Sequence, residues 1–398
     1  MVLSKINRCD IYVCIWALYN LQGFLYPQGL INQLLQFIML FWALSVSSRY
    51  ILPNNEMPRL MRATLALVYM YVIYGLVYLI SGHQVYFHDG GSPSSYVYLQ
   101  YSLNSLLPIF LFYHYSIKGY LTEKRLRVYL LFMLVVTIIE FQYHKSVVYL
   151  LTGYTEITNN VGYSFLELMP MTYLYYKKPM WQFVILFVLI FFILLGMKRG
   201  AILIGAICFL YFMFKMWKAA TTFTHRFLIL SLSIAIIILV VWQVNIMLET
   251  SDYFVYRIAK TMEGDTSGRD TVAKEILTKF WGQSSILNLL FGHGANSTIA
   301  YAGNYAHNDW LETLCNNGFI GIFLLLNFYF SMLKSALRVN PKTCPHLRTA
   351  FLILFIIALT KTLFSMSIQD MGLSTTIMIG YLMYILKYQI DETVTYNR

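Results

Sequence analysis

Charge is scarce in this sequence. Only 12% of its 398 residues are Asp, Glu, Lys or Arg, and just 18 are acidic, whereas a soluble domain carries about 25% charged residues. With 58% hydrophobic residues and a mean hydropathy of +0.59, a water-soluble globular chain is excluded. Internal repeats, low-complexity tracts and a separate soluble domain are also missing. The alternating ten-residue segments of a transmembrane barrel do not occur, and lipid requires every backbone polar group to be satisfied within the protein, so a helical bundle is the remaining fold. Cysteine is sparse too. Cys9 and Cys344 fall on the side assigned below to the cytoplasm, while Cys14, Cys208 and Cys315 lie within or at the mouths of helices, so no disulfide framework is implied. The first apolar run is followed at once by others without a small-residue cleavage site, and it reads as a retained helix.

What the sequence has instead is a succession of apolar runs, each about 17 to 25 residues long, the length that crosses about 30 Å of hydrocarbon as a helix. Twelve are predicted, at approximately 10–27, 30–48, 61–81, 96–116, 127–148, 161–176, 180–196, 201–217, 227–248, 308–333, 349–368 and 372–388. The expected fold is an all-α integral membrane protein of about twelve transmembrane helices forming one polytopic domain over 1–398, with a larger extramembrane loop at about 249–306. The 33 Tyr and 7 Trp suit interfacial belts as well as a core.

The net charge of +11 is mostly a topology signal. With the N-terminus inside, most Lys and Arg fall in the inner segments, which places both termini in the cytoplasm by the positive-inside rule. The cations left outside are Lys145, Lys198, Arg199, Arg257, Lys260, Arg269, Lys274 and Lys279. Two of them form the tight turn MKRG (197–200), where a Lys-Arg pair opposes the rule. An anionic ligand at the outer face would hold them there; the alternative is snorkelling to lipid headgroups.

In the long loop, SGRDTVAKEILTKFWGQ (267–283) carries the [ST]-x-x-[DE] start signal, with Ser267 as N-cap and Asp270 three residues on. Val272, Ile276 and Phe280 then define one face of a short amphipathic helix, expected to lie across the membrane surface or to cap the bundle. Arg269 sits at its second position, where free N–H groups and the dipole favour a phosphate and a guanidinium adds bidentate contacts. A solvated arginine paired with Asp265 or Asp270 is the plainer alternative. LLFGHGANST (289–298) then brackets His293 with Gly292 and Gly294 in a turn.

NYAHNDWLETLCNNGFIGIF (304–323) sets His307, Asn308, Asp309 and Glu312 against the start of an apolar helix beginning near Asn308. Gly318 and Gly321 mark a face for close helix approach. A histidine with an ordinary pKa of about 6.5 suits a general base, and a nearby carboxylate would orient it; a structural interfacial histidine is the alternative. Ligand spacing for a metal is missing.

Taken together, AHNDWLETLCNNGFIGI, the preceding FGHGANS, the earlier GRD and the KRGA after the seventh run resemble the O-antigen polymerase and O-antigen ligase superfamily of bacterial membrane glycosyltransferases. The pattern spans 196–323, while the first six runs match in hydropathy alone. Two departures stand out: Lys198 where the family often has serine before Arg-Gly, and Asn316 where it often has glutamate.

The resemblance implies a donor glycan linked through pyrophosphate to undecaprenol and a site at the periplasmic face of the bacterial inner membrane. It gives Arg199 and Arg269 the donor pyrophosphate and makes His307 the catalytic base for an acceptor hydroxyl, in an inverting displacement. Lys198, Lys145, His293, Asn308, Asp309 and Glu312 are second-rank candidates. No cofactor and no metal are expected, since two arginines supply the positive charge. The implied partners are the lipid-linked donor, a glycan acceptor, membrane lipids and, optionally, a chain-length regulator, but no nucleic acid. A polymerase joining lipid-linked repeat units is favoured over a ligase delivering glycan to lipid A-core, because the loop is modest and a polymerase acceptor is small. A flippase or transporter is the reading from another class, kept open by Glu140, Glu167 and Lys361 within runs.

Overall fold

A computed structural model describes residues 6–25, 29–52, 57–81, 95–152, 159–220, 222–250, 252–263, 268–365, 368 and 370–395. The described residues contain helices and connecting turns and no strand. In chain order the helices are α1 (Arg8–Leu25), α2 (Leu30–Ser47), α3 (Arg59–Ser81), α4 (Ser95–Ile117), α5 (Glu123–Thr152), α6 (Gly162–Leu168), α7 (Pro179–Leu195), α8 (Arg199–Ala219), α9 (Phe223–Thr250), α10 (Asp252–Met262), α11 (Arg269–Gln283), α12 (Ile286–Phe291), α13 (Ser297–Ala302), α14 (Asp309–Arg338), α15 (Pro345–Phe364) and α16 (Leu373–Thr395).

The described residues of the twelve apolar runs are mostly helical. Seven helices among the described residues are long and apolar enough to cross a bilayer: Leu30–Tyr50, Arg59–Ser81, Glu123–Val147, Arg199–Lys218, Arg226–Ile246, Asp309–Arg338 and Pro345–Phe364. Together with the composition they make the chain an integral membrane protein. The run at 161–176 is not one α-helix. Its α-form ends at Leu168 and a 3-10 segment, Met169–Tyr175, continues it. Pro170 stands at the changeover; it has no N–H for the Leu166 carbonyl, and its ring crowds that carbonyl.

The chain divides into two compact units, residues 1–129 with 267–398, and residues 130–266. In the first, α4 packs against α2, α3 and α16, and α14 against α3 and α15. Buried aromatic and aliphatic side chains such as Phe110, Phe112, Phe328 and Phe351 fill that core. In the second, α7 packs on α6, α8 and α9, with Phe165 and Phe192 stacked at 4.8 Å.

The segment expected as a loop with one short helix holds four, α10 to α13. The amphipathic reading of α11 holds: Ile276 and Phe280 are buried against Ala306 and Cys315, with Val272, Leu289 and Leu311 packed alongside. Ser267, the expected N-cap, and Asp265 lie outside the described residues. The N-cap position of α11 is Gly268, at φ 76°, so Arg269 is the first helical residue and not the second.

Candidate functional site

The polar centre of the first unit is the entry to α14. Asn308 is its N-cap, and its side-chain oxygen accepts from the backbone N–H groups of Trp310 (3.0 Å) and Leu311 (3.1 Å). These are two of the orphan donors that every helix start leaves. His307, the residue before the cap, has φ 50°. That left-handed conformation is uncommon for a residue with a side chain, though histidine is among those enriched there. Two connections tie this entry to the end of α15: the Trp310 indole donates to the Thr362 hydroxyl at 2.9 Å, and the Asp309 carboxylate accepts from the Ile368 N–H at 3.2 Å.

Glu312 lies one turn into the helix and is 4% exposed. Its carboxylate accepts from the Ala306 N–H at 2.6 Å, the Thr298 hydroxyl at 2.8 Å and the Asn316 amide at 3.4 Å. A buried carboxylate is tolerable only when donors replace the water it loses, and here they come from three separate segments. The Ala306 bond fixes the backbone immediately before His307. Asn316 passes the order on, since its amide oxygen accepts from both the N–H and the hydroxyl of Ser297 at 3.0 Å. An amide both donates and accepts, so Asn316 bridges two groups that a carboxylate at this position would not.

Arg269 belongs to the same unit. Its guanidinium donates to the Phe364 carbonyl at 3.3 Å, in the last turn of α15, where the dipole favours a cation. At its own helix start the same charge is disfavoured, because the first residue of α11 stands at the positive end. The structure thus places His307 and Arg269 in one unit: His307 directly precedes α14, whose first turn bonds the end of α15, and Arg269 bonds that same end.

The Gly-x-Gly turn performs a structural task. Within α14 the backbone leaves helical geometry at Gly318, with φ 66° and ψ −161°. The break frees carbonyls that would otherwise accept from the next turn, and outside groups take them: His293 N–H bonds the Cys315 carbonyl at 2.8 Å and Gly294 N–H the Asn316 carbonyl at 3.2 Å, while the Tyr74 hydroxyl, whose single proton goes to the Phe291 carbonyl at 2.5 Å, lies 3.3 Å from the Asn317 carbonyl. A Cβ on Gly292 would stand 2.4 Å from the Asn316 carbonyl, and one on Gly318 would stand 2.5 Å from that of Leu290. Gly318 therefore admits the backbone of α12 and the following turn, and not a neighbouring long helix as its spacing with Gly321 suggested. Gly321 faces Asn317 and Thr313 of the segment before the kink.

The His293 ring bonds the Ser284 hydroxyl at 2.5 Å and sits edge-on to Tyr301 and Phe280. Burial holds its pKa below the usual 6.5 and lifts the Tyr301 phenol to about 12. Lys279 donates to the Tyr301 carbonyl.

In the second unit, Lys198 is the N-cap of α8 and Arg199 its first residue, both half-buried. Met197 before them has φ 50°, and the turn is fixed where the Gly196 carbonyl accepts from Asn159 N–H at 2.8 Å. Lys145 is exposed on α5. Among the described residues no three His, Cys, Asp or Glu side chains converge as a metal site.

Sequence reasoning missed Tyr74, Thr298 and Thr362. Each is an ordinary helix residue whose role arises only from what it meets in the fold. Comparison with models of known protein families and with curated protein sequences finds no match.

Proposed function

We propose that this protein is a metal-independent membrane glycosyltransferase of the O-antigen polymerase and ligase type. In this reading it joins undecaprenyl-pyrophosphate-linked oligosaccharide repeat units at the periplasmic face of the bacterial inner membrane. The observation that carries the proposal is the placement of Arg199 and Arg269 as first residues of α8 and α11. A helix start with an arginine presents both free N–H groups and a guanidinium to a pyrophosphate, and at Arg269 the guanidinium is held by the end of α15 as well. With the ordered motif pieces from KRGA to AHND in the sequence, this supports a lipid-pyrophosphate donor.

In this reading each arginine is a candidate to offset the negative charge that develops as a pyrophosphate departs. His307 Nε2 or Nδ1 takes the proton from the acceptor hydroxyl as that oxygen attacks the anomeric carbon. Glu312 positions the histidine through the Ala306 N–H, and Asp309 and Asn308 fix the helix entry. Holding two lipid-anchored substrates at one surface supplies proximity.

The test uses purified protein with a lipid-pyrophosphate-linked repeat unit. His307→Ala should lower transfer by about 10²–10⁴-fold, the range for removing a general base, with the protein still present in the membrane; full activity in that variant would sink the assignment. In cells, loss of the gene should leave a single-repeat band without the long lipopolysaccharide ladder. Bare core with accumulating lipid-linked polymer would instead indicate the ligase.

The break in α14 supports a second reading, a lipid-oligosaccharide flippase, since broken helices mark many transporters. Elongation of lipid-linked repeats by purified protein in the absence of any gradient would exclude it.

A further inference from the structure

We propose that α12 and the end of α11 form a membrane-embedded foot, an element of the extramembrane loop whose apolar face sits among the acyl chains of the bilayer. The inference is independent of the catalytic reading.

Three observations lead to it. First, the foot exposes large apolar side chains: Trp281 is 58% exposed, Ile286 77%, Leu287 66% and Phe291 49%. In a loop bathed by water such a patch would be costly, at roughly 25 cal/mol per Å².

Second, the patch is continuous with surfaces of two spanning helices. The Trp281 ring lies 6.0 Å from that of Phe319 on α14, and exposed Phe323 follows one turn on. On α3, Tyr74 donates to the Phe291 carbonyl at 2.5 Å, which fixes the end of α12 level with that residue. Exposed apolar side chains of α3 continue beyond it through Leu76, Val77, Leu79 and Ile80. Six residues at 1.5 Å rise put Ile80 about 9 Å further along the helix. The foot therefore lies at a level where α3 still presents hydrocarbon-compatible surface.

Third, the backbone at the end of the foot is provided for. Irregular chain enters a bilayer only where its polar groups have partners. The N-cap Ser285 hydroxyl takes the Asn288 N–H, Gly292 N–H bonds the Asn288 carbonyl, Tyr74 takes the Phe291 carbonyl, and His293 and Gly294 N–H groups reach the carbonyls freed by the break at Gly318. The occupant is bilayer acyl chain, because the patch merges with the outward faces of α3 and α14 and carries no charged side chain between Trp281 and Phe291.

The experiment uses the full chain with Cys14→Ser and Cys344→Ser, which removes the two cysteines that are not buried. A bimane label is attached at Leu287→Cys, with Phe323→Cys as the lipid reference and Lys274→Cys as the water reference. Each protein is reconstituted into phosphatidylethanolamine/phosphatidylglycerol vesicles with or without brominated acyl chains, and the label on protein without an added cysteine is subtracted. Brominated chains should quench the Leu287→Cys label at least threefold more than the Lys274→Cys label, and iodide in the buffer should quench it less. Quenching equal to that at Lys274, or protection from both quenchers, which would mean that another protein surface covers the patch, overturns the proposal. Should Leu287→Cys fail to fold, Ile286→Cys is read in the same way.

Discussion

His307 and Arg199 each stand at the entrance to a helix, after or within a turn that contains a left-handed residue, yet the two entrances are held by different means. Around His307 the backbone is gripped by polar side chains: Glu312, Asn316 and Thr298 form a buried set, and half-buried Asn308 caps the helix beside it. Before Arg199 the turn is joined where Asn159 N–H bonds the Gly196 carbonyl, where the Asn159 side chain accepts from Val161 N–H and donates to the Phe141 carbonyl, and where the two glycines Gly162 and Gly196 approach closely. A buried polar set is directional and fails sharply when one member is lost. Glycine packing is less directional, and its failure depends on how far a neighbour can yield. The α14 entry should therefore respond to substitution far more steeply than the α8 entry, and the following variants test that contrast in decreasing order of effect.

The largest difference is expected between glycines. Gly292→Ala or Gly318→Ala places a methyl group within 2.5 Å of backbone at a positive φ. Strain and overpacking together should remove about 4 kcal/mol of stability, seen as loss of the folded fraction on size-exclusion chromatography in detergent. Gly196→Ala meets the Gly162 Cα at 3.3 Å and has an ordinary φ of −71°, so it should cost about 1 kcal/mol. Equal losses in the two regions would break the comparison.

Next comes Glu312→Ala, which leaves the Ala306 N–H, the Thr298 hydroxyl and the Asn316 amide without their acceptor. About 3 kcal/mol should be lost, measured as a lowered Tm by intrinsic fluorescence, with Glu312→Gln milder because its amide keeps one acceptor oxygen. A Tm unchanged in Glu312→Ala would mean that the buried set does not hold this entry.

Asn308→Ala removes an N-cap with two bonds and should cost about 1 kcal/mol in the same measurement. Its counterpart, Lys198→Ala, removes no side-chain cap bond to the first turn of α8 and should lower Tm less than Asn308→Ala does. A matching loss at Lys198 would erase the distinction.

The smallest effect is a pH dependence from His293. Burial depresses its folded-state pKa, so the unfolded chain binds more protons in the window between the two values, and stability rises with pH there. The contribution is complete above pH about 6.5 and is lost as pH falls toward the lower folded value. Tm should fall on acidification from pH 7.5 to 5.5, and His293→Phe should flatten that slope; an unchanged slope would assign it to other groups.

Much of the architecture was readable before any coordinates. Composition and run length identified a helical membrane protein because the bilayer penalises every other arrangement of backbone, and seven helices among the described residues are long and apolar enough to span it. The period of Val272, Ile276 and Phe280 marked the buried face of α11, and Asn308 marked the start of α14. The start of α11 was less readable. Gly268, left-handed, takes the cap position one residue after the expected Ser267, because a glycine in that conformation can open a helix without a side-chain bond.

The sequence by itself determined the long apolar helices and which side chains are polar enough to do chemistry, since periodicity and hydropathy are local properties. Only the tertiary structure decided what those side chains do. Glu312 finds donors at Thr298 and Ala306, Arg269 finds the end of α15, and Gly318 turns out to be a break that receives the backbone near Leu290. Those pairings join residues from 6 to 95 positions apart, and they follow from desolvation and close packing, which act on neighbours in space and leave no periodic trace in the order of residues.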